Sequence, residues 1–176
     1  IPVDGLSQGI ALQHAIALNK GTLIGVTSDI ADIPPFKLVS VNLNSGKVTD
    51  LKSYSLSGDQ RIANFTRCSD RIIYATTLSR QSGPRLVKID SKNRKFSEVA
   101  KLHFRDAPLR NDVMSLACSP SGELYALANP AYEATNSLYN LNQVDGQLTL
   151  VRQFDVEKIT FNISLPDQPL SEISAP

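Results

Sequence analysis

The side chains that could carry out chemistry are few and widely spaced. The chain has two histidines, His14 and His103, and two cysteines, Cys68 and Cys118. Zinc takes several imidazole or thiolate ligands, and a hard cation takes several oxygen ligands. Of His14, Arg61, Asn64, Asn111 and Asp112, which aligned strand starts would bring near one another, only His14 and Asp112 could serve as such ligands. A metal-assisted hydrolase or lactonase-like reaction built on those two residues is therefore the enzymatic alternative, and no cofactor is expected. The sequence has no G-x-S-x-G elbow, and neither cysteine has a histidine beside it in sequence, so no nucleophile comes with its base. The glycines fall singly at turns and form neither G-x-G-x-x-G nor G-x-x-x-x-G-K, the loops that cradle phosphates.

Polar side chains that could recognise a ligand or partner cluster instead in long connecting segments. SDIADIPPF, LSRQSGP, NPAYEATN, SYSLSGDQ and HFRDAPLRND carry Asp59, Arg105, Asp106, Arg110, Asn111, Asp112 and Tyr132, and Arg61 follows directly on one of them. These eight residues are the candidate binding set, since function concentrates on loops held by a rigid scaffold. Solvated loops with no ligand are the plain alternative. Asn64-Phe65-Thr66 and Asn162-Ile163-Ser164 match the N-glycosylation triplet, but both fall in expected strands and are read as coincidences.

Composition narrows the classes further. The 176 residues carry 18 basic and 17 acidic side chains, with 41 % hydrophobic residues, which suits one folded domain. A net charge of +1 without a basic cluster lacks the electrostatic footprint of a nucleic-acid binder. No apolar run is long enough for a membrane-spanning helix.

The elements that must position the loops show as an internal repeat. LVSVNLNSGKVTDL from Leu38 matches LYNLNQVDGQLTLV from Leu138 at an offset of 100, pairing Leu38, Val41, Gly46, Val48 and Leu51 with Leu138, Leu141, Gly146, Leu148 and Val151. RLVKIDSKNRKFSEV from Arg85 is the middle copy, with Leu86, Ile89, Phe96 and Val99 in the same places. Upstream of each copy lies a second shared piece, GTLIGVT, DRIIYAT or GELYALA, preceded by a short segment in which Leu18, Cys68 and Cys118 correspond. All four parts are short, rich in Val, Ile, Leu, Thr and Tyr, and bounded by turn residues.

Twelve strands are expected, at 10–18, 22–28, 37–43, 47–53, 61–68, 71–77, 85–90, 95–101, 112–118, 123–128, 137–142 and 147–154. Gly46 and Gly146 supply the positive φ of their hairpins, and Asn93 is expected to do so in the middle copy. Cys68 and Cys118, at the end of the innermost strand, are expected as buried thiols, with an inter-blade disulfide as the alternative.

SPSGELYALA followed by SLYNLNQVDGQLTLV resembles the blade pattern of WD-like and YVTN-like β-propellers, over residues 8 to 154. The resemblance implies an all-β fold of three four-stranded antiparallel blades, a half or partial propeller over residues 1–164; the three prolines of LPDQPLSEISAP point to a flexible tail at 165–176. It also implies a ligand face made by the long loops, and a channel mouth lined by His14, Arg61, Asn64, Asn111 and Asp112. Three blades do not close a ring, so a homodimer or the remainder of a longer propeller is expected, with ITFNIS at 159–164 as a thirteenth strand. The expected function is a non-catalytic module, secreted or periplasmic, that binds a protein, a small polar ligand or a carbohydrate. A purely structural extracellular role is the third reading.

Overall fold

A computed structural model describes residues 4–29, 36–54, 56, 60–69, 71–79, 81–133 and 135–153. The expected strand at 159–164, the tail at 165–176 and candidate residue Asp59 lie outside these described residues.

Among the described residues the protein is built from strands alone, in three sheets. The first holds β1 (Ile10–Asn19), β2 (Thr22–Asp29), β3 (Phe36–Asn42) and β4 (Val48–Tyr54), in that spatial order and antiparallel throughout. The second repeats this arrangement with β5 (Arg61–Arg67), β6 (Ile72–Leu78), β7 (Arg85–Asp90) and β8 (Lys95–Lys101). The third carries β11 (Val113–Cys118), β12 (Leu124–Ala128), β13 (Ser137–Leu141) and β14 (Gln147–Gln153), extended at its outer edge by β9 (His103–Phe104) and β10 (Ala107–Pro108). All twelve expected strands are present, with no described end displaced by more than one residue.

The β9–β10 hairpin corrects the expectation that HFRDAPLRND is an open loop and that the third sheet has only four strands. β9 lies parallel to β14, with His103 opposite Gln147, and the His103 N–H donates to the Gly146 carbonyl at 3.2 Å. The first sheet uses the same latch. Asp4 pairs in parallel with Lys47, its N–H donates to the Gly46 carbonyl at 2.9 Å, and the Val48 N–H donates back to the Asp4 carbonyl at 2.7 Å. Two-residue strands carry too few side chains to show a period, so neither latch is legible as a strand.

The sheets stack face to face, which explains why the middle strands are apolar on both sides. Ile73 through Thr77 in β6 are all buried, whereas β4 buries only its two ends. Ile24, Val26, Phe36 and Leu38 of the first sheet pack with Ile62, Ile73, Val87 and Ile89 of the second. Tyr74 and Leu86 of the second sheet pack with Leu116, Leu124, Ala126, Tyr139 and Leu141 of the third. The innermost strands follow one another in the same sequence, β5 lying between β1 and β11 and touching both.

Each outer strand carries a bulge at the same repeat position. Leu38 faces Lys52 while Val39 faces Asp50, leaving Leu51 as the extra residue; Val99 and Val151 are the extra residues of the other two sheets. Gly46 and Gly146 hold positive φ in the outer hairpins, as expected. In the middle copy the left-handed residue is Arg94, at φ 54°, and not Asn93. Such a backbone costs an L-residue about 1–2 kcal/mol. Contacts to the first sheet offset it: Arg94 Nη1 donates to the Leu51 carbonyl, and the Tyr54 hydroxyl donates to the Arg94 carbonyl at 2.9 Å.

Cys68 and Cys118 form a disulfide, with Cα atoms 5.1 Å apart, and among the described residues no free cysteine remains. This overturns the expectation of buried thiols. The stacking of β5 beside β11 brings two equivalent positions of neighbouring sheets within bonding range, which a spacing of 50 in sequence does not reveal.

Candidate functional site

The loops at the β12–β13 end of the third sheet are where polar side chains converge. Asn129 follows β12 and closes its own loop: its Oδ1 accepts from the Glu133 N–H at 2.7 Å, and its Nδ2 donates to the Glu133 carbonyl. Asparagine does this because its short amide reproduces a backbone turn. The Asn129 carbonyl also accepts from the Tyr132 N–H at 3.2 Å and from Asn111 Nδ2. Asn111 leads into β11, so this bond ties the segment entering the inner strand to the loop beside it. Its Oδ1 is buried without a hydrogen-bond partner.

This network holds Tyr132 at φ 55° with 69 % of its surface exposed. A bulky residue in that region stores strain that the surrounding hydrogen bonds must hold. Behind it, the Glu133 carboxylate accepts from Gln153 Nε2 at 2.6 Å. Tyr139 lies beneath at 4 % exposure, its phenol pushed above the ordinary tyrosine range by burial and by the negative charge of Glu133. A hydrogen bond with Ser137 and the positive charge of Arg105 pull the other way. Arg105, at φ 55°, lies over the Phe104 ring at 5.0 Å, and Phe104 meets Tyr139 edge-on at 5.4 Å. Arg105 and Glu133 therefore act on one hydroxyl with opposite charge.

Three of the eight candidate residues, Arg105, Asn111 and Tyr132, belong to this cluster. Asp106 shares the β9–β10 turn with Arg105 and is exposed, as is Arg110. Asp112 precedes β11, and desolvation raises its carboxyl above the usual carboxylate range. Arg61 opens β5 in the second sheet and is half-buried there. Asn129, Tyr139 and Gln153 complete the cluster and were not expected; only NPAYEATN, as a long polar loop, pointed toward them. At the inner strands Asn64 Nδ2 donates to Thr76 Oγ1 at 2.9 Å and to the Val113 carbonyl at 2.7 Å, so this amide bridges the second and third sheets.

Glu133 is engaged by Gln153, and burial favours the protonated form of Tyr139. His14 and Asp112 lie on β1 and just before β11, with β5 between those strands. Among the described residues no three His, Cys, Asp or Glu side chains group as metal ligands would.

No protein-family model matches the chain, and no curated protein matches it in sequence. Among solved structures it is similar to an oligogalacturonate lyase in complex with manganese, with a TM-score of 0.58 and 12 % identity over 82 % of this chain and 37 % of that one. The tricorn protease aligns with a TM-score of 0.47 and 18 % identity, over 74 % of this chain and 12 % of that chain. Porphyromonas gingivalis dipeptidyl peptidase 4 aligns with a TM-score of 0.48 and 14 % identity, over 77 % and 23 %. The chain thus spans well under half of each of these proteins. At such identities the likeness concerns the fold alone, and that fold is of propeller type. The three stacked sheets are consistent with part of such a ring.

Proposed function

We propose that the three sheets are three blades of a propeller and that the chain is a non-catalytic recognition module. Its contact surface is the loop cluster around Tyr132, and its partner is a protein or a small polar ligand, carbohydrates included. The observation that carries this reading is Tyr132 itself: an aromatic side chain at 69 % exposure on a strained backbone, its N–H donating to the Asn129 carbonyl, which also accepts from Asn111 Nδ2. Aromatic residues presented rigidly supply contact area at low entropic cost and are enriched where proteins are recognised. Arg105 adds positive charge to the same cluster. A disulfide between blades supports an oxidising compartment, so the secreted or periplasmic setting is retained as part of the proposal.

The test is an array of peptides and of neutral and acidic oligosaccharides, probed with the full chain, with Tyr132→Ala and with an Arg105→Ala, Arg110→Ala double variant. A specific signal that weakens at least tenfold in Tyr132→Ala supports the reading. Signals that are unchanged in both variants would move the surface elsewhere on the molecule.

A further inference from the structure

Two junctions between sheets are complete, and they are built from the same repeat positions. In the first, Ile24, Leu38 and the bulge residue Leu51 are given by the first sheet, and Ile73 and Ile89 of the second receive them. In the second, Tyr74, Leu86 and the bulge residue Val99 are given by the second sheet, and Leu124 and Leu141 of the third receive them. A leucine from the segment entering the receiving sheet completes each: Leu56 in the first junction, Leu109 in the second. Every sheet thus has a giving face and a receiving face.

Among the described residues, one half-junction of each kind is not joined to another sheet. The first sheet holds a receiving half: Val39, Val41 and Val48, with Leu12, Leu23 and the entering-segment residue Leu6, form a cluster of their own that contains no giving residue. Leu23 is half-buried, although its equivalents Ile73 and Leu124 are 0 % and 1 % exposed. The third sheet holds a giving half. Leu138 is half-buried where Leu38 and Leu86 are both at 0 %, and Tyr125 is half-buried where Tyr74 is at 6 %. Leu127, between them, stays buried. Val151 is 52 % exposed, whereas Leu51 and Val99 pack into their junctions.

We infer that these two half-junctions join two copies of this chain head to tail, the giving face of the third sheet seating on the receiving face of the partner's first sheet. The inference rests on reading the sheets as propeller blades. The occupant is chosen by complementarity already on the page: the side chains that would fill each half are the ones present in the other, in the register that two internal junctions use. Two such contacts related by a two-fold axis close the stack, and a heterologous contact that failed to close would grow into longer assemblies. Val39, Val41 and Val48 are already buried, so what the contact would take out of water is Leu23 on the first sheet and Tyr125, Leu138 and Val151 on the third.

Light scattering on the full chain, resolved by size and run over a range of micromolar concentrations, tests this. A discrete species of twice the chain mass is expected, its share rising with concentration. Val151→Glu removes the giving face, and Leu23→Thr weakens the receiving face with a milder change in case a charge there prevents folding. Circular dichroism checks both variants for the wild-type fold. Each variant alone should lose dimer at least tenfold, and an equimolar mixture should recover it, because one intact junction remains between the two. A wild-type chain that stays monomeric throughout, including one that is captured only by a longer propeller fragment, would overturn the proposal. So would a Leu23→Thr variant that dimerises as the wild type does, which would mean face-to-face pairing of third sheets. Array binding at Tyr132 is read independently of mass, so failure here and failure of the recognition surface are separable.

Discussion

Cys118, the last residue of β11, is bonded through sulfur to Cys68, one residue beyond the end of β5, so the innermost strands of the second and third sheets are covalently joined at one end. The bridge closes 50 residues of chain. A loop of that size is worth about 4 kcal/mol in the loop-entropy account, because the unfolded chain loses the freedom that the bridge removes. A Cys68→Ser, Cys118→Ser double variant, or the wild type under reductant, should therefore unfold at markedly lower urea concentration. An unchanged midpoint would show that the bridge is not formed in solution.

The first and second sheets are tied at the equivalent place by an arginine. Arg67 Nη1 donates to the Leu18 carbonyl at 2.6 Å and to the Ala17 carbonyl at 3.1 Å, while Nε donates to the Ser69 carbonyl at 3.1 Å. Leu18 is the repeat equivalent of Cys68 and Cys118, so one position serves two kinds of tie. Charge-assisted bonds of this sort contribute about 1.5–3 kcal/mol. Arg67→Met, which keeps the stem and removes the donors, should cost roughly that much in denaturant unfolding. A loss below the resolution of the measurement would mean that water replaces these contacts freely.

The strands were legible because their cause is local. Alternating β-branched and aromatic residues between glycine, asparagine and serine turns set each strand, and the recurrence of Leu38, Leu86 and Leu138 set their grouping. What stayed hidden depends on neighbours far along the chain. Cys68 and Cys118 occupy a position that also suits a small buried side chain, so residue type alone did not decide between thiol and disulfide. Arg94 takes the left-handed backbone because Leu51 and Tyr54, some 40 residues earlier, hold it there. Of the candidate loop cluster, Arg105, Asn111 and Tyr132 could be named from their loops. The parts played by Asn129, Tyr139 and Gln153 follow only from the meeting of β12, β13 and β14 at one end of the sheet.

Gly146 and Gly122 both sit at positive φ, 80° and 87°, but in different surroundings. A Cβ on Gly146 would lie 2.6 Å from the Lys101 carbonyl oxygen and 3.1 Å from Ala100 Cβ, so the third sheet's hairpin and the end of β8 could no longer approach. A Cβ on Gly122 meets nothing within 4 Å. Gly122→Ala should cost only the backbone preference, about 1–2 kcal/mol. Gly146→Ala adds a backbone clash and should cost visibly more in the same urea titration. Equal losses would show that β8 and the hairpin can move apart without penalty.

Asp90 makes the hairpin after β7 resistant to acid. Its carboxylate accepts from Arg71 Nε at 2.7 Å and from the Asn93 and Lys92 N–H groups at 3.0 Å each. The Arg71 hydrogen bond first, then that from Asn93, hold its pKa down at about 2. A folded-state pKa below the unfolded value stabilises the fold above the unfolded value of 3.8, and this contribution drains away as pH falls toward 2. Asp90→Asn should therefore reduce stability at neutral pH and flatten the acid limb between pH 4 and 2. The check is urea midpoints measured across that range; parallel acid limbs for variant and wild type would assign the titration to other carboxylates.

Alkaline pH should work in the opposite sense through the buried tyrosines. Tyr54, Tyr74 and Tyr139 are all raised above 10.0, with burial as the largest cause in each. A raised folded-state pKa means that the native protein keeps these protons longer than the unfolded chain does. The associated stability is complete below pH 10 and is lost as pH climbs from there through the folded values, because the unfolded chain ionises first. Tyr74 isolates the effect, since burial is the sole cause of its shift. Wild-type urea midpoints should hold level below pH 9.5 and fall above about 10, and Tyr74→Phe should fall less steeply because one phenol no longer titrates. Absorbance of ionised tyrosine, followed in the same samples, should rise with unfolding and not ahead of it. Ionisation of all five tyrosines before the fold is lost would show that these phenols reach water in the native state.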